Sequence, residues 1–348
     1  MKEAAARPLA WAALALVLLA APWWLAGDYY INIASQVLIA ALFALSLNLL
    51  VGYAGLTSLG HAGYLGISAY TSAWIMLNLK WGHLAAALAA LGVSGAMAAV
   101  FGLVALRASG LSFLMITLAL GQVLWGLAYR WAGVTGGDNG LSGLTRPAPF
   151  GIDLNHATSF YYFTLLVSAL VVAVVVVLVR SPFGASVRGT RDQPRRMATL
   201  GYDFWRIRWL TFTASGFLGG VAGLMYVYYQ QFISPHSLSL ASSAEMLLMV
   251  IAGGPGTLFG PVAGAALVVL LKNVASAYVD RWIMLLGIVF VLIVLFVPGG
   301  IVPGLARLAK RLRPRGPRRE SVPVPVPVPV PVLPAADPLT PRRAEVVE

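Results

Sequence analysis

The chain has 348 residues, 59% hydrophobic and 10% charged, with a net charge of +12 and no cysteine. Soluble domains carry about a quarter charged residues. The composition therefore excludes an ordinary soluble fold, and the missing cysteines exclude disulfides, thiol catalysis and thiolate metal sites. Apolar runs recur, each long enough to cross a bilayer as a helix. The expected fold class is an all-α polytopic membrane protein.

The first apolar segment, residues 8–26, follows Lys2 and Arg7. It lacks a small-residue cleavage site before the next span, so it reads as a retained helix rather than a signal peptide. The next two spans, 30–52 and 57–78, are joined through GYAGLTSLGHAGYLG (52–66). In lipid, small residues drive helix association by letting backbones approach. Ser58, Ala62 and Gly66 are spaced four apart, as are Gly55, Leu59 and Gly63. Gly52 and Gly60 add to a helix with little bulk. Asn48, Ser58 and His61 are polar groups that lipid penalises when unpaired. Together they predict a helix packed tightly inside the bundle, near a path for polar solute. The alternative is close packing alone, with His61 bonded to a neighbouring backbone carbonyl.

Spans 83–106 and 111–132 follow. A long loop, 133–158, contains TGGDNGLSG, rich in turn formers. After the span 159–180 comes SPFGASVRGTRDQPRRMATLGYDFWRIRW (181–209). Pro194 suits the first position of a helix, Asp192 or Gln193 suits its cap, and Gly201 suits the position just past its end. Met197 and Leu200 share one face, with Arg188, Arg191, Arg195 and Arg196 around them. Such a short helix is either a docking peg for a soluble partner or a surface helix held on headgroups by its arginines.

The span 208–230 is followed by the segment 240–277. This is either one broken helix or two short ones, 240–254 and 257–277, joined at GGPGTLFGP. Gly253, Gly254 and Gly256 sit at this turn. Glu245 lies in the preceding span, where a carboxylate is costly unless paired or hydrated. It is either functional or interfacial. The last span is 281–298. The tail carries a basic stretch, RLAKRLRPRGPRRE, suited to anionic headgroups. It continues as VPVPVPVPVPV, expected to form an extended polyproline rod. That rod is a spacer or a docking site for a proline-binding module.

Charge decides the count. With the amino terminus inside and ten spans, only Lys80, Arg130, Arg146, Lys272 and Arg281 lie outside, among 24 lysines and arginines. Nine spans would put the arginine-rich 181–207 loop and the basic tail on opposite sides, against the positive-inside rule. The same distribution reads as a topology signal rather than a nucleic-acid footprint. The expected organisation is a transmembrane domain, 1–305, with both termini cytoplasmic, and a tail, 306–348. The loop 181–207 lies inside and 133–158 outside.

Four blocks resemble LivM-type permease subunits of branched-chain amino-acid ABC importers. They are LNLLVGYAGLTSLGHAGYLGISAYTSA (47–73), TGGDNGLSGL (135–144), SPFGASVRGTRDQPRRMATLGYD (181–203) and EMLLMVIAGGPGTLFGPVAGA (245–265). The resemblance implies that 181–207 is the coupling element fitting a groove on an ATP-binding subunit. Arg191, Asp192, Leu200 and Gly201 match the family's loop pattern. Pro194, Arg196 and Met197 depart from the glutamate-alanine-alanine form of many importers. It also implies a second, LivH-like permease, two ATPases holding ATP and Mg, an external solute-binding protein, and a bacterial inner membrane.

No GxxxxGK[ST] motif is present, so ATP must bind elsewhere. His61, His83, His156 and His236 are scattered, and no paired carboxylates or nucleophile–base set stands out. No catalytic, cofactor-binding or metal residue is expected. The favoured function is translocation of branched-chain or related amino acids by alternating access. The alternatives are a urea or short-amide permease of the same family, an ion-coupled transporter needing buried carboxylates, and a scaffold acting through the tail.

Overall fold

The computed structural model of the chain describes residues 17–24, 27–149, 153–278, 282–296 and 299–312. The start of the first expected span and the proline-valine tail lie outside the described residues. In chain order the helices begin with α1 (residues 17–24) and α2 (Asp28–Asn48), which widens into π-helical turns over Leu49–Ala54. Next come α3 (Ala62–Trp74), with π-helical turns over Ile75–Leu79, then α4 (His83–Ala105), α5 (Leu111–Arg130) and the short α6 (Ala132–Thr135). Strand β1 (Leu141–Ser142) precedes α7 (Ala157–Arg180), α8 (Pro182–Asp192), α9 (Pro194–Thr199) and α10 (Phe204–Gln230). Strand β2 (Phe232–Ile233) precedes α11 (Leu240–Gly253), α12 (Gly260–Tyr278), α13 (Trp282–Phe296) and α14 (Ile301–Leu312).

Among the described residues, six helices are long and apolar enough to cross a membrane: 28–54, α4, α5, α7, α10 and α12. The fold is thus an all-α polytopic membrane bundle. At 14 residues, α11 is shorter, roughly 21 Å against a hydrocarbon core of about 30 Å.

The centre of the bundle is α2, α3, α4 and α10, with α12 and α7 against α2. A helix that is apolar all round is buried, and the second half of α2, Ala41–Asn48, is buried at every position. The seam between α4 and α10 shows why these sequences pack. Ala86, Ala90, Ser94, Ala98 and Gly102 recur every four residues and are all buried. They meet Gly216 and Gly220 of α10, where an added methyl would run into Ala98 Cβ and Ser94. Two small ridges bring the backbones together. Ser94 Oγ then donates across the seam, 3.2 Å from the carbonyl of Gly216 and 3.3 Å from that of Tyr64.

The third span differs from expectation. A helix from residue 57 was expected; α3 begins at Ala62, and 55–61 runs as non-helical chain after a left-handed Gly55 (φ 70°). Irregular backbone inside a membrane domain persists only where protein buries it and satisfies its polar groups. Leu56, Ser58, Gly60 and His61 are buried. The amide of Leu59 donates to Thr117 Oγ1 at 3.3 Å, that of Gly60 to Ser58 Oγ at 3.4 Å, and that of Ala62 to Ser243 Oγ at 3.2 Å. The glycines permit this course. Any side chain on Gly60 would strike the α5 backbone at Thr117.

At one end of the bundle, β1 pairs antiparallel with β2, Leu141 opposite Ile233. Arg146 locks this end. It donates to the carbonyls of Tyr228 (3.1 Å) and Tyr229 (3.2 Å) at the close of α10, and to Leu154 (3.0 Å) and Asn155 (3.4 Å). These include helix-terminal carbonyls without intrahelical partners. Its guanidinium also lies 4.5 Å over the Phe160 ring. Burial pulls the Arg146 pKa below its ordinary value, partly offset by Tyr229 and Asp153.

Candidate functional site

At the opposite end, the loop in which one short helix was expected holds two. The first, α8, has a cap that the sequence reading missed: Ser181 Oγ accepts from the amide of Gly184 at 3.3 Å, with Pro182 in the first turn. Gly184 lets α8 start close against the end of α7, since an added Cβ would strike the carbonyls of Leu178 and Val179. Arg188 donates to that same carbonyl at 2.8 Å and so closes the end of α7.

The expected helix is α9, Pro194–Thr199. Its end is as anticipated: Gly201 is left-handed (φ 82°), and the amides of Gly201 and Tyr202 return to the carbonyls of Ala198 and Met197 at 3.1 Å each. This is the paired closure that glycine allows at a helix terminus. Its start differs. Gln193 holds the cap position without a side-chain cap bond, and Asp192 instead pairs with Arg191 at 2.8 Å. Met197 and Leu200 also part company. Met197 sulfur packs on Gly189 of α8, whereas Leu200 is 66% exposed. No residue of α9 is buried, so Pro194, Arg195 and Arg196 stand on a projecting surface. Asp203 caps α10, accepting from the amides of Trp205 and Arg206 at 3.1 Å each.

Arg191 turns inward from the end of α8. Its Nη1 donates to the carbonyl of Gly52, in the π-helical turns that end the second span. Such turns leave carbonyls without their normal helical partner. The aliphatic stem of Arg191 lies over Gly55, where an added Cβ would come within 2.6 Å of Cγ. On its other side, Gly52 abuts the Gly256 backbone so closely that a side chain would strike it.

Asn48 completes the junction from inside the bundle. It is fully buried. Its Oδ1 accepts from the amide of Gly256 and its Nδ2 donates to the carbonyl of Thr257, each at 2.9 Å. One amide side chain thereby satisfies the Gly256 amide and the Thr257 carbonyl of the turn between α11 and α12. Gly254 and Gly256 in that turn have positive φ, and Gly253 rests on the carbonyl of Gly260. Three segments distant in sequence thus meet at one point: the end of α8, the break after α2, and the α11–α12 turn.

Other expected site residues lie apart from it. His61 is fully buried; its Nε2 sits 2.9 Å from Ser46 Oγ and its ring stacks on Phe43. Its partner is a hydroxyl, not the neighbouring backbone carbonyl of the close-packing alternative. Gly63 and Gly66 receive Leu124 of α5 and Leu238. Ser58 bonds locally. Glu245 pairs with Lys272 of α12 at 3.4 Å. Thr257, Ser46 and Lys272 were not singled out from the sequence. Only spatial neighbours reveal them, since a lone threonine, serine or lysine carries no pattern of its own. Among the described residues no group of three or more histidine, aspartate or glutamate side chains is arranged to hold a metal.

Comparison with known proteins places this geometry. The family described as branched-chain amino acid transport system, permease component, matches residues 29–297. The high-affinity branched-chain amino acid transport system permease protein LivM of Salmonella typhimurium is 29% identical over 317 residues, covering 83% of this chain and 74% of its own. The protein of the same name from Escherichia coli K12 is 29% identical over 318 residues, with the same coverage. No solved structure matches the chain. The match runs from the first turn of α2 to the end of α13 and takes in every segment that meets at Arg191 and Asn48. The chain therefore belongs to the family of permease components of branched-chain amino acid transport systems.

Proposed function

We propose that this chain is one of two membrane-spanning subunits of an ATP-driven importer, moving branched-chain amino acids delivered by an external binding protein. The carrying observation is the bond from Arg191 to Gly52. It joins a projecting arginine-rich helix pair to a break in the central helix of the bundle. Force applied to α8 and α9 has a short mechanical route into the membrane domain.

In this account the chain crosses the bilayer ten times, with both termini in the cytoplasm. The basic residues of α8, α9 and the tail then share one side, as the positive-inside rule favours. The clustering of elements agrees. The α8–α9 pair, the break at 49–55 and the α11–α12 turn gather at one end. The segment 133–158 gathers with β2 at the other. The inner end would receive two ATPases, which bind ATP and Mg. The outer end would receive the binding protein, and a second, LivH-like permease would complete the path. The switch draws its energy from the ATPases, whose nucleotide states must differ in affinity for the two permease conformations. An ion-coupled mechanism would need an uncompensated carboxylate at depth, and the candidate the sequence offered, Glu245, is paired with Lys272.

The test is reconstitution of the chain in proteoliposomes with its companion permease, two ATPases and binding protein. ATP-dependent leucine uptake is expected. Deletion of 191–200, or Gly201→Pro, should abolish uptake while membrane insertion and permease pairing persist. Normal uptake by the deletion variant would overturn the coupling role. Uptake without the ATPases would favour an ion-coupled carrier, and uptake of urea in place of leucine would reassign the substrate.

A further inference from the structure

Between α13 and α14 the chain passes through Gly299 and Gly300, both with positive φ (100° and 92°). Side chains disfavour that conformation, and glycine adopts it freely. Gly300 then lies on the backbone of Gly253 and Gly254, where an added Cβ would come within 2.3 Å of the Gly254 Cα. Pro303, in the first turn of α14, also packs there: a Cβ on Gly254 would come within 2.6 Å of its Cδ. The root of α14 is thereby seated on the α11–α12 turn. Asn48 holds the same turn from inside the bundle, through Gly256 and Thr257.

From that root α14 runs 12 residues, roughly 18 Å. Its sequence, IVPGLARLAKRL, divides by helical register. Ile301, Leu305, Leu308 and Leu312 recur at alternating four- and three-residue steps and share one face, whereas Arg307, Lys310 and Arg311 share the other. Ile301 and Val302 are half-buried against the bundle, but Leu305 is 61% exposed. The sequence beyond α14 adds Arg313, Arg315, Arg318 and Arg319 before its first acidic residue, Glu320. A short helix with one apolar and one basic face, next to a membrane span, suits the boundary between acyl chains and anionic headgroups. The basic helix α9 differs: it carries no such apolar stripe, and none of its residues is buried.

We propose that α14 lies in the headgroup layer of the inner leaflet, held there by anionic phospholipid, and that this lipid contact regulates transport. The inference rests on the function proposed above, which places this end of the bundle in the cytoplasm. The apolar face enters the acyl boundary at Leu305, and the basic face meets lipid phosphates, whose surface potential attracts lysine and arginine. The regulatory route is a chain of backbone contacts. The root of α14 supports Gly254, the turn is bonded to Asn48 of α2, and the break after α2 accepts Arg191 of α8. With α14 anchored, the α11–α12 turn has a fixed support when α8 moves. In a zwitterionic bilayer the anchor weakens, and motion of α8 is lost in the turn.

Two measurements on the full reconstituted complex test this, in vesicles of phosphatidylcholine alone and of an equimolar mixture with phosphatidylglycerol. The chain has no native cysteine, so Leu305→Cys gives this subunit a single thiol for a bimane label. With the companion subunits made cysteine-free, lipid carrying a nitroxide on its acyl chain should quench the label in the mixed vesicles, and much less in phosphatidylcholine. A label that stays unquenched in the mixture would overturn the headgroup placement, and one shielded only when the ATPases are bound would give α14 a protein partner instead. Leucine uptake per ATP hydrolysed should be at least about fivefold higher in the mixed vesicles, the low end of coupling between distinct sites. The triple variant Arg307→Gln, Lys310→Gln, Arg311→Gln should assemble and give the lower value in both. Equal ratios for the wild type in the two lipids would overturn the regulation, and a triple variant that keeps the full dependence would remove it from α14. A wild-type complex that imports no leucine in either lipid would sink the importer reading, while the quenching still reports where α14 lies.

Discussion

Arg191 and Gly52 lie 139 residues apart in the chain and meet through a hydrogen bond from the guanidinium to the backbone carbonyl. The acceptor exists because the second span ends in π-helical turns and then a left-handed glycine. The donor reaches it because Gly55 has no side chain to block the arginine stem. A surface element and a membrane helix are thereby tied at the backbone.

Arg191→Ala should uncouple transport. Its pair with Asp192 is exposed and worth little, so the effect reports the bond to Gly52 together with the stem's packing over Gly55. A hydrogen bond to a charged group contributes about 1.5–3 kcal/mol, so leucine uptake should fall about tenfold or more if the bond is needed throughout the cycle. ATPase turnover should persist. Arg191→Lys keeps the charge but loses the planar fork and should recover only part of the uptake. Uptake per ATP hydrolysed in proteoliposomes measures both, and an unchanged ratio in Arg191→Ala would exclude this bond from coupling.

Gly55→Ala attacks the same contact from the other side. Its Cβ would come within 2.6 Å of Arg191 Cγ, and the left-handed backbone itself costs a non-glycine residue about 1–2 kcal/mol. The variant should show a lower Tm in detergent and the transport defect of Arg191→Ala. The double variant Gly55→Ala with Arg191→Ala should regain part of the lost stability, because the clash has gone. Thermal melts of the two single variants and the double read this as a non-additive cycle.

How much of this junction was legible in advance differs residue by residue. The glycine-rich 52–66 stretch announced close backbone approach, and Gly52 and Gly60 do touch other backbones. Helical spacing of Ser58, Ala62 and Gly66 suggested a continuous helix, but the same glycines also permit the break. Periodicity does not separate a helix with small faces from a chain that glycine lets unwind. The helix α9 was readable because Pro194 and Gly201 act locally on backbone conformation. The helix α8 was missed because its glycines and arginines carry no apolar stripe, and the Ser181–Pro182 start signal directly follows the end of α7. Asn48 and Glu245 were suspect as polar groups in lipid, yet their partners Gly256, Thr257 and Lys272 lie far along the chain.

Asn48→Leu should be the most damaging conservative-volume change at the junction. It leaves the Gly256 amide and the Thr257 carbonyl without their partner, and an unsatisfied buried polar group costs about 1–3 kcal/mol. Leucine cannot bond either, so the α11–α12 turn loses its tie to α2. A lower Tm and a reduced yield of assembled complex are expected, together with faster proteolysis or hydrogen exchange in 253–260. Unchanged exchange in that turn would mean that the glycine contacts alone hold it.

Ser46 and His61 offer a test of hydrogen-bond bookkeeping in the core. Ser46 Oγ lies 2.7 Å from the carbonyl of Phe43, so its one proton is directed there. The proton between Ser46 and His61 must then come from the ring, which makes His61 the Nε2–H tautomer with Nδ1 as an acceptor. Among the described residues that Nδ1 has no partner. His61→Gln places an amide donor where Nε2–H stood and should keep a Tm close to the parent. His61→Asn is too short to reach Ser46 and should lose stability, as should His61→Leu, which leaves the serine oxygen without its donor. Ser46→Ala should cost less than His61→Leu in one respect only: the histidine loses an acceptor, whereas the aromatic packing with Phe43 and Tyr64 stays. Melting curves of the four variants in one detergent give the ranking, and a stability of His61→Asn equal to His61→Gln would refute a stabilising role for the His61–Ser46 bond.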